Sequence, residues 1–146
     1  MDMREAMESI DEQLAHVWMV RTFLKHSDEA QEDDDLNEIH RELYDYMLAL
    51  GGKYVAQDAE AYLRQAYKKF SRLRRATENF IELQPQISDH TNFKMAVRSL
   101  QAAVRRIGQV LDECGMGRGS SGSSTSPSGG SPAGGSPESP TRTGPS

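Results

Sequence analysis

Apolar residues at Met3, Met7, Ile10, Leu14, Val17 and Leu24 recur in alternating steps of four and three. That is the period of one helix face, and it predicts a helix over residues 3–27. A second stripe runs through Leu36, Ile39, Leu43, Tyr46 and Leu50. Its predicted helix starts near Asp35 as N-cap, with Glu38 three residues on, and stops at Gly51-Gly52. The third stripe, Ala59, Leu63, Ala66, Phe70, Leu73, Thr77 and Phe80, starts after the N-cap Asp58 and ends before Pro85. The fourth starts around residues 88–91, follows Phe93, Val97, Leu100, Val104, Ile107, Leu111 and Cys114, and closes at Gly115 and Gly117. Four stripes with short connections predict an all-α chain folded as an antiparallel up-down four-helix bundle.

Two polar residues interrupt the stripes. Arg21 stands at a seam position of helix 1 and His40 in the stripe of helix 2. A hairpin centred in the acidic connector brings both to one height, with Tyr44 close by. An unpaired buried charge is expensive, so Arg21 must reach water or a partner. The preferred role of this layer is to fix helix register. The alternative is an anion or small-ligand site in which Arg21, His40 and Tyr44 line the pocket and His40 exchanges a proton.

Helix 1 is also apolar away from its seam. Met19 and Phe23 stack four residues apart on an outer stripe that His16 extends. Such a stripe predicts a docking surface, most simply one where helix 1 meets its own copy in a two-fold dimer.

Composition divides the chain. Residues 1–115 are the helical domain, and the Gly/Ser/Pro-rich residues 116–146 lack the apolar content to offset their ordering entropy, so a disordered tail is expected. Residues 1–52 hold 4 Lys/Arg and 14 Asp/Glu, whereas residues 53–114 hold 11 and 7. The basic excess gathers on helix 3 at Arg64, Lys68, Arg72 and Arg75, with no acid between positions 64 and 75. That face suits phosphates. The net charge of −5 opposes a polyanion at long range, so attraction between the two halves of the bundle explains it better.

The acidic run over residues 27–35 lacks the alternating ligands and central glycine of a calcium loop. None of the four histidines has a glutamate three residues before it, so the di-iron bundle pattern is absent and no metal or cofactor is expected. Arg21 and His26 have an Arg-x4-His spacing that resembles the RNA-cleaving motif of HEPN ribonucleases, which are small helical bundles. The resemblance implies a ribonuclease site, but on a regular helix five residues separate the two side chains by about 140°. No catalytic residue is assigned. One cysteine and no long apolar run suit a cytoplasmic protein without a membrane span. The sequence points to a non-catalytic interaction or self-associating module. A ligand-binding or enzymatic bundle centred on Arg21 and His40 is the first alternative, and a weak nucleic-acid binder through helix 3 the second.

Overall fold

The first helix begins where two side chains satisfy backbone donors that a helix start leaves bare. Asp2 accepts from the Glu5 amide (2.8 Å) and the Glu5 carboxylate accepts from the Asp2 amide (3.0 Å), a complete capping box. In the computed structural model, which describes residues 1–116, five helices follow one another: α1 (Met3–Lys25), α2 (Asp28–Glu32), α3 (Asp34–Val55), α4 (Ala59–Ile87) and α5 (Thr91–Glu113). The described residues are all-helical, with no strand. The expected disorder of the tail and the stop at Gly117 lie outside the described residues.

Four local signals act differently from their sequence reading. The acidic run is not only a turn, for it contains α2. The Ser27 hydroxyl donates to the Leu24 carbonyl (2.8 Å) and accepts from the Ala30 amide (3.1 Å), ending one helix and opening the next. Asp33, not Asp35, caps α3 by accepting from the Leu36 amide (2.9 Å). Asp34 and Asp35 fall in its first turn, at the positive end of the helix dipole.

Gly51-Gly52 does not end α3, which continues to Val55. The next turn is held by tertiary contacts: the Tyr54 hydroxyl donates to Glu8 (2.8 Å) and its ring meets Tyr62 edge-on. The reversal comes at Gln57, whose φ of 56° is left-handed. Its side chain donates to the Tyr54 carbonyl (2.8 Å) and accepts from Arg4 (2.9 Å). Pro85 likewise sits inside α4, which runs two residues further to Ile87. The exposed ring removes one late donor, and Gln84 bridges the end by donating from its side chain to the Ser88 carbonyl (2.8 Å). Asp58 caps α4 as expected, and Gly115, with φ 82°, follows the end of α5.

Residues Met1–Cys114 form one compact unit. Within it α1 packs along α3 and α5, α4 packs along α3 and α5, and α2 rests on α3 and α1. The core is the predicted stripes: Met7, Ile10, Leu24, Leu36, Leu43, Leu50, Leu63, Leu73, Phe80, Leu100 and Ile107 are all buried. Two tyrosines carry hydroxyls into it. Tyr46 donates to the Ala66 carbonyl (2.9 Å) and Tyr62 to Asp11 (3.0 Å). Burial pushes both phenols well above their ordinary pKa.

Candidate functional site

Three contacts set the height of α1 on α3: Arg4 to Gln57, Glu8 to Tyr54, and Arg21 to Tyr44. They build an outward face along the two helices. Toward one end of it the Arg21 guanidinium lies between two rings, 5.1 Å from the centroid of Trp18 and 4.6 Å from that of Tyr44. A cation on an aromatic face is stabilised by the ring quadrupole. Thus Arg21 starts at a seam position and escapes along the flank. Its Nε is buried without a hydrogen-bond partner, as is the Thr22 hydroxyl.

His40 is half-buried beside this clamp. Its Nε2 donates to Asn37 Oδ1 (2.7 Å), and among the described residues no hydrogen bond joins it to Arg21. Burial lowers the His40 pKa, and the positive charges of Arg21, Arg41 and Lys25 lower it further. Three of the four Lys/Arg residues of the acidic half therefore cluster at this one end of the face.

Acids stand beside these cations, since α2 and the first turn of α3 hold Asp28, Glu29, Glu32, Asp34 and Asp35, and the opposite end of α1 is acidic. A cleft of about 320 Å³ is lined by Glu8, Ser9, Asp11, Glu12 and Tyr54. Burial raises the Asp11 pKa, the Tyr62 hydrogen bond opposes that rise, and the charge of Glu8 adds to it. Among the described residues the ion pairs are Arg64–Glu60, Arg74–Glu78 and Arg106–Glu113, all in α4 and α5. No carboxylate of α1 or α3 is in one of them.

The two helices also carry exposed apolar side chains. Of eight exposed large apolar side chains among the described residues, six lie on α1 or α3, namely Met3, Trp18, Met19, Tyr44, Leu48 and Val55. Leu48 is 64% exposed and Val55 83%. With Tyr44 and Gly51 they follow helical spacing along one stripe of α3. A Cβ built on Gly51 or Gly52 meets nothing within 4 Å, whereas one on Gly108 comes within 3.1 Å of Phe70. Gly108 gives close packing of α5 on α4, whereas among the described residues nothing packs against the Cβ positions of the α3 glycines.

The expected outer stripe of α1 divides. His16 and Met19 are exposed, but the Phe23 ring packs edge-on against Phe93 of α5 at 4.9 Å and is half-buried. Arg21 and His26 do not converge. His26 caps α1, its Nδ1 3.0 Å from the Thr22 carbonyl, while Arg21 lies in its aromatic clamp.

The basic stripe of α4 is met by acids. Arg72 and Arg75 line a cleft of about 420 Å³ with Asp35, Glu38 and Glu42 of α3. Arg64 pairs with Glu60, and Lys68 is exposed. Among the described residues no group of three or more His, Cys, Asp or Glu is placed to hold a metal ion. No described helix is long and apolar enough to cross a membrane.

Sequence reasoning grouped Tyr44 with Arg21 and His40 but paired Arg21 with His40 rather than with the rings of Tyr44 and Trp18, and it missed Leu48, Gly51 and Val55 as parts of a face. The available signal was an apolar series off the core stripe, at steps of four and seven from Tyr44, around glycines that need not end a helix. No family model, curated protein or solved structure matches this chain.

Proposed function

We propose that the chain is a non-catalytic protein-interaction module, built as an antiparallel up-down bundle of its four long helices, whose working surface is the outward face of α1 and α3. The observation that carries this is the concentration of exposed Trp18, Met19, Tyr44, Leu48 and Val55 on two adjacent helices. Contiguous exposed apolar surface on a monomer marks a partner site, and aromatics and methionine are enriched in interface cores. Antiparallel packing is supported by contacts that join one end of a helix to the opposite end of its neighbour: early Glu8 of α1 with late Tyr54 of α3, and late Phe23 of α1 with early Phe93 of α5. A cytoplasmic setting suits a chain whose single cysteine permits no internal disulfide.

Trp18 is the only tryptophan, so its fluorescence reports this face alone. Emission and acrylamide quenching are followed while the chain is concentrated and, separately, titrated with a panel of amphipathic helical peptides. Protection of Trp18 in either series supports the reading. Unchanged quenching in both overturns it.

A second reading is favoured by the cations gathered at His40: Arg21, with its aromatic clamp, could hold a phosphate or carboxylate in exchange for solvent. Titration with inorganic phosphate tests it. Saturable shifts of the His40 ring resonances would support that site, and linear drift would dismiss it.

A further inference from the structure

We propose that the partner of the α1/α3 face is a second copy of this chain, packed about a two-fold axis that passes between Ala15 and Trp18 on α1 and beside Leu48 on α3. The inference rests on the interaction reading above.

A two-fold axis lying in the face, across the helices, lays each helix antiparallel on its own copy. Centred between Ala15 and Trp18, it sets the Trp18 ring over the exposed Ala15 of the second copy. The contacts of Glu8 with Tyr54 and of Arg21 with Tyr44 put residues 47–48 of α3 at that same height. The axis therefore also sets Tyr44 opposite Gly51, while Leu48 meets its counterpart. One operator thus seats a ring against a small residue on both helices. It gives Gly51 a packing role that it lacks within one molecule, where its Cβ position is open.

The charges follow the same operator. Glu8, Asp11 and Glu12 of one copy come opposite the end of the other copy that carries Arg21 and Lys25. Among the described residues no ion pair occupies these carboxylates. Complementary potentials across an interface fix its register and exclude other alignments. Two helices of 22–23 residues side by side present a face about 33 Å long and about 20 Å wide. That is of the order of the roughly 800 Å² per partner that stable interfaces bury.

The test is sedimentation equilibrium of the full chain, read together with acrylamide quenching of Trp18. The wild type should be a dimer with protected Trp18. Leu48→Glu, which sets two carboxylates beside the axis, and Gly51→Phe, which fills the site of the Tyr44 ring, should each give a folded monomer with exposed Trp18. Both positions face solvent in one molecule, and circular dichroism verifies the fold. Lys25→Glu and Glu8→Lys should each raise the dimer dissociation constant at least tenfold, and the double exchange should recover most of the loss. A monomeric wild type at 1 mM, on the order of the weakest specific association, overturns the dimer. The interaction reading survives that result if a helical peptide still protects Trp18. A dimer with accessible Trp18 that Leu48→Glu leaves intact overturns both.

Discussion

Replacing Gly51 and Gly52 together by alanine adds two methyl groups to the solvent side of α3. A glycine inside a helix costs roughly 0.5–1 kcal/mol relative to alanine, because it loses more backbone freedom on folding. Nothing among the described residues opposes the change. The added Cβ meets no atom within 4 Å at either site, and neither glycine has a positive φ. The pair should therefore stabilise the monomer by about 1–2 kcal/mol. For a unit of this size that corresponds to a rise in thermal midpoint of roughly 4–8 °C. The assay is thermal unfolding by circular dichroism at low micromolar concentration, with Gly108→Ala as comparison. Its Cβ would come 3.1 Å from Phe70, so it should gain less than either α3 substitution. At high concentration the order changes, because alanine at position 51 intrudes where the Tyr44 ring of a second copy packs, and the double variant should associate more weakly than wild type. A midpoint that stays level or falls at low concentration would refute the reasoning, for the glycines would then have a role inside the monomer.

Three further outcomes follow from the same contacts. The folded state disfavours His40 protonation, through burial and the charges of Arg21, Arg41 and Lys25, so the unfolded chain takes up that proton more readily. Stability attributable to His40 is thus present above its ordinary pKa and is lost as pH falls below it; His40→Gln should show a smaller drop in thermal midpoint between pH 7.5 and 5, and an equal drop would sink the assignment. Arg21→Met keeps a long side chain between Trp18 and Tyr44 while removing a buried Nε that lacks a partner, so urea unfolding should show a loss below about 1 kcal/mol. Tyr46→Phe removes the hydroxyl that donates to the Ala66 carbonyl and should cost about 1 kcal/mol by the same measurement.

The fold was legible because the core stripes are regular: nearly every residue spaced by four and three is buried, and the polar helical face is not. The stops were harder. Gly51-Gly52 and Pro85 are strong local breakers, yet Tyr54, held by Glu8 and Tyr62, and Gln84, bonded to Ser88, carry both helices past them. The Tyr54–Glu8 bond joins residues 46 positions apart and leaves no mark in a local pattern, whereas Gln84–Ser88 is a local bond made by one side chain past the proline. The same misreading hides the site. With α3 ended at Leu50, Leu48 looks like a frayed last turn and Val55 like a loop residue. Once the helix runs to Val55, the two join Tyr44 and Gly51 on one stripe. Phe23 shows the opposite limit: its spacing with Met19 is real, but Phe93 of α5 covers its ring, and only packing reveals that.

The charge pattern separates what happens far from the face from what happens on it. The whole chain carries −5, so two copies repel while they are distant. In the proposed dimer the acidic start of each α1 meets Arg21 and Lys25 of the other, and attraction acts over a few ångströms. Salt screens the first interaction more than the second, because the Debye length is about 10 Å at 0.1 M and contact pairs are shorter than that. Moderate salt should therefore speed association of this chain, whereas a dimer held by attraction of opposite net charges would associate more slowly as salt is added. A stopped-flow measurement of Trp18 protection against ionic strength separates the two cases. A rate that falls from the lowest salt upward would mean that the segregation of charge on α1 does not govern how the copies meet.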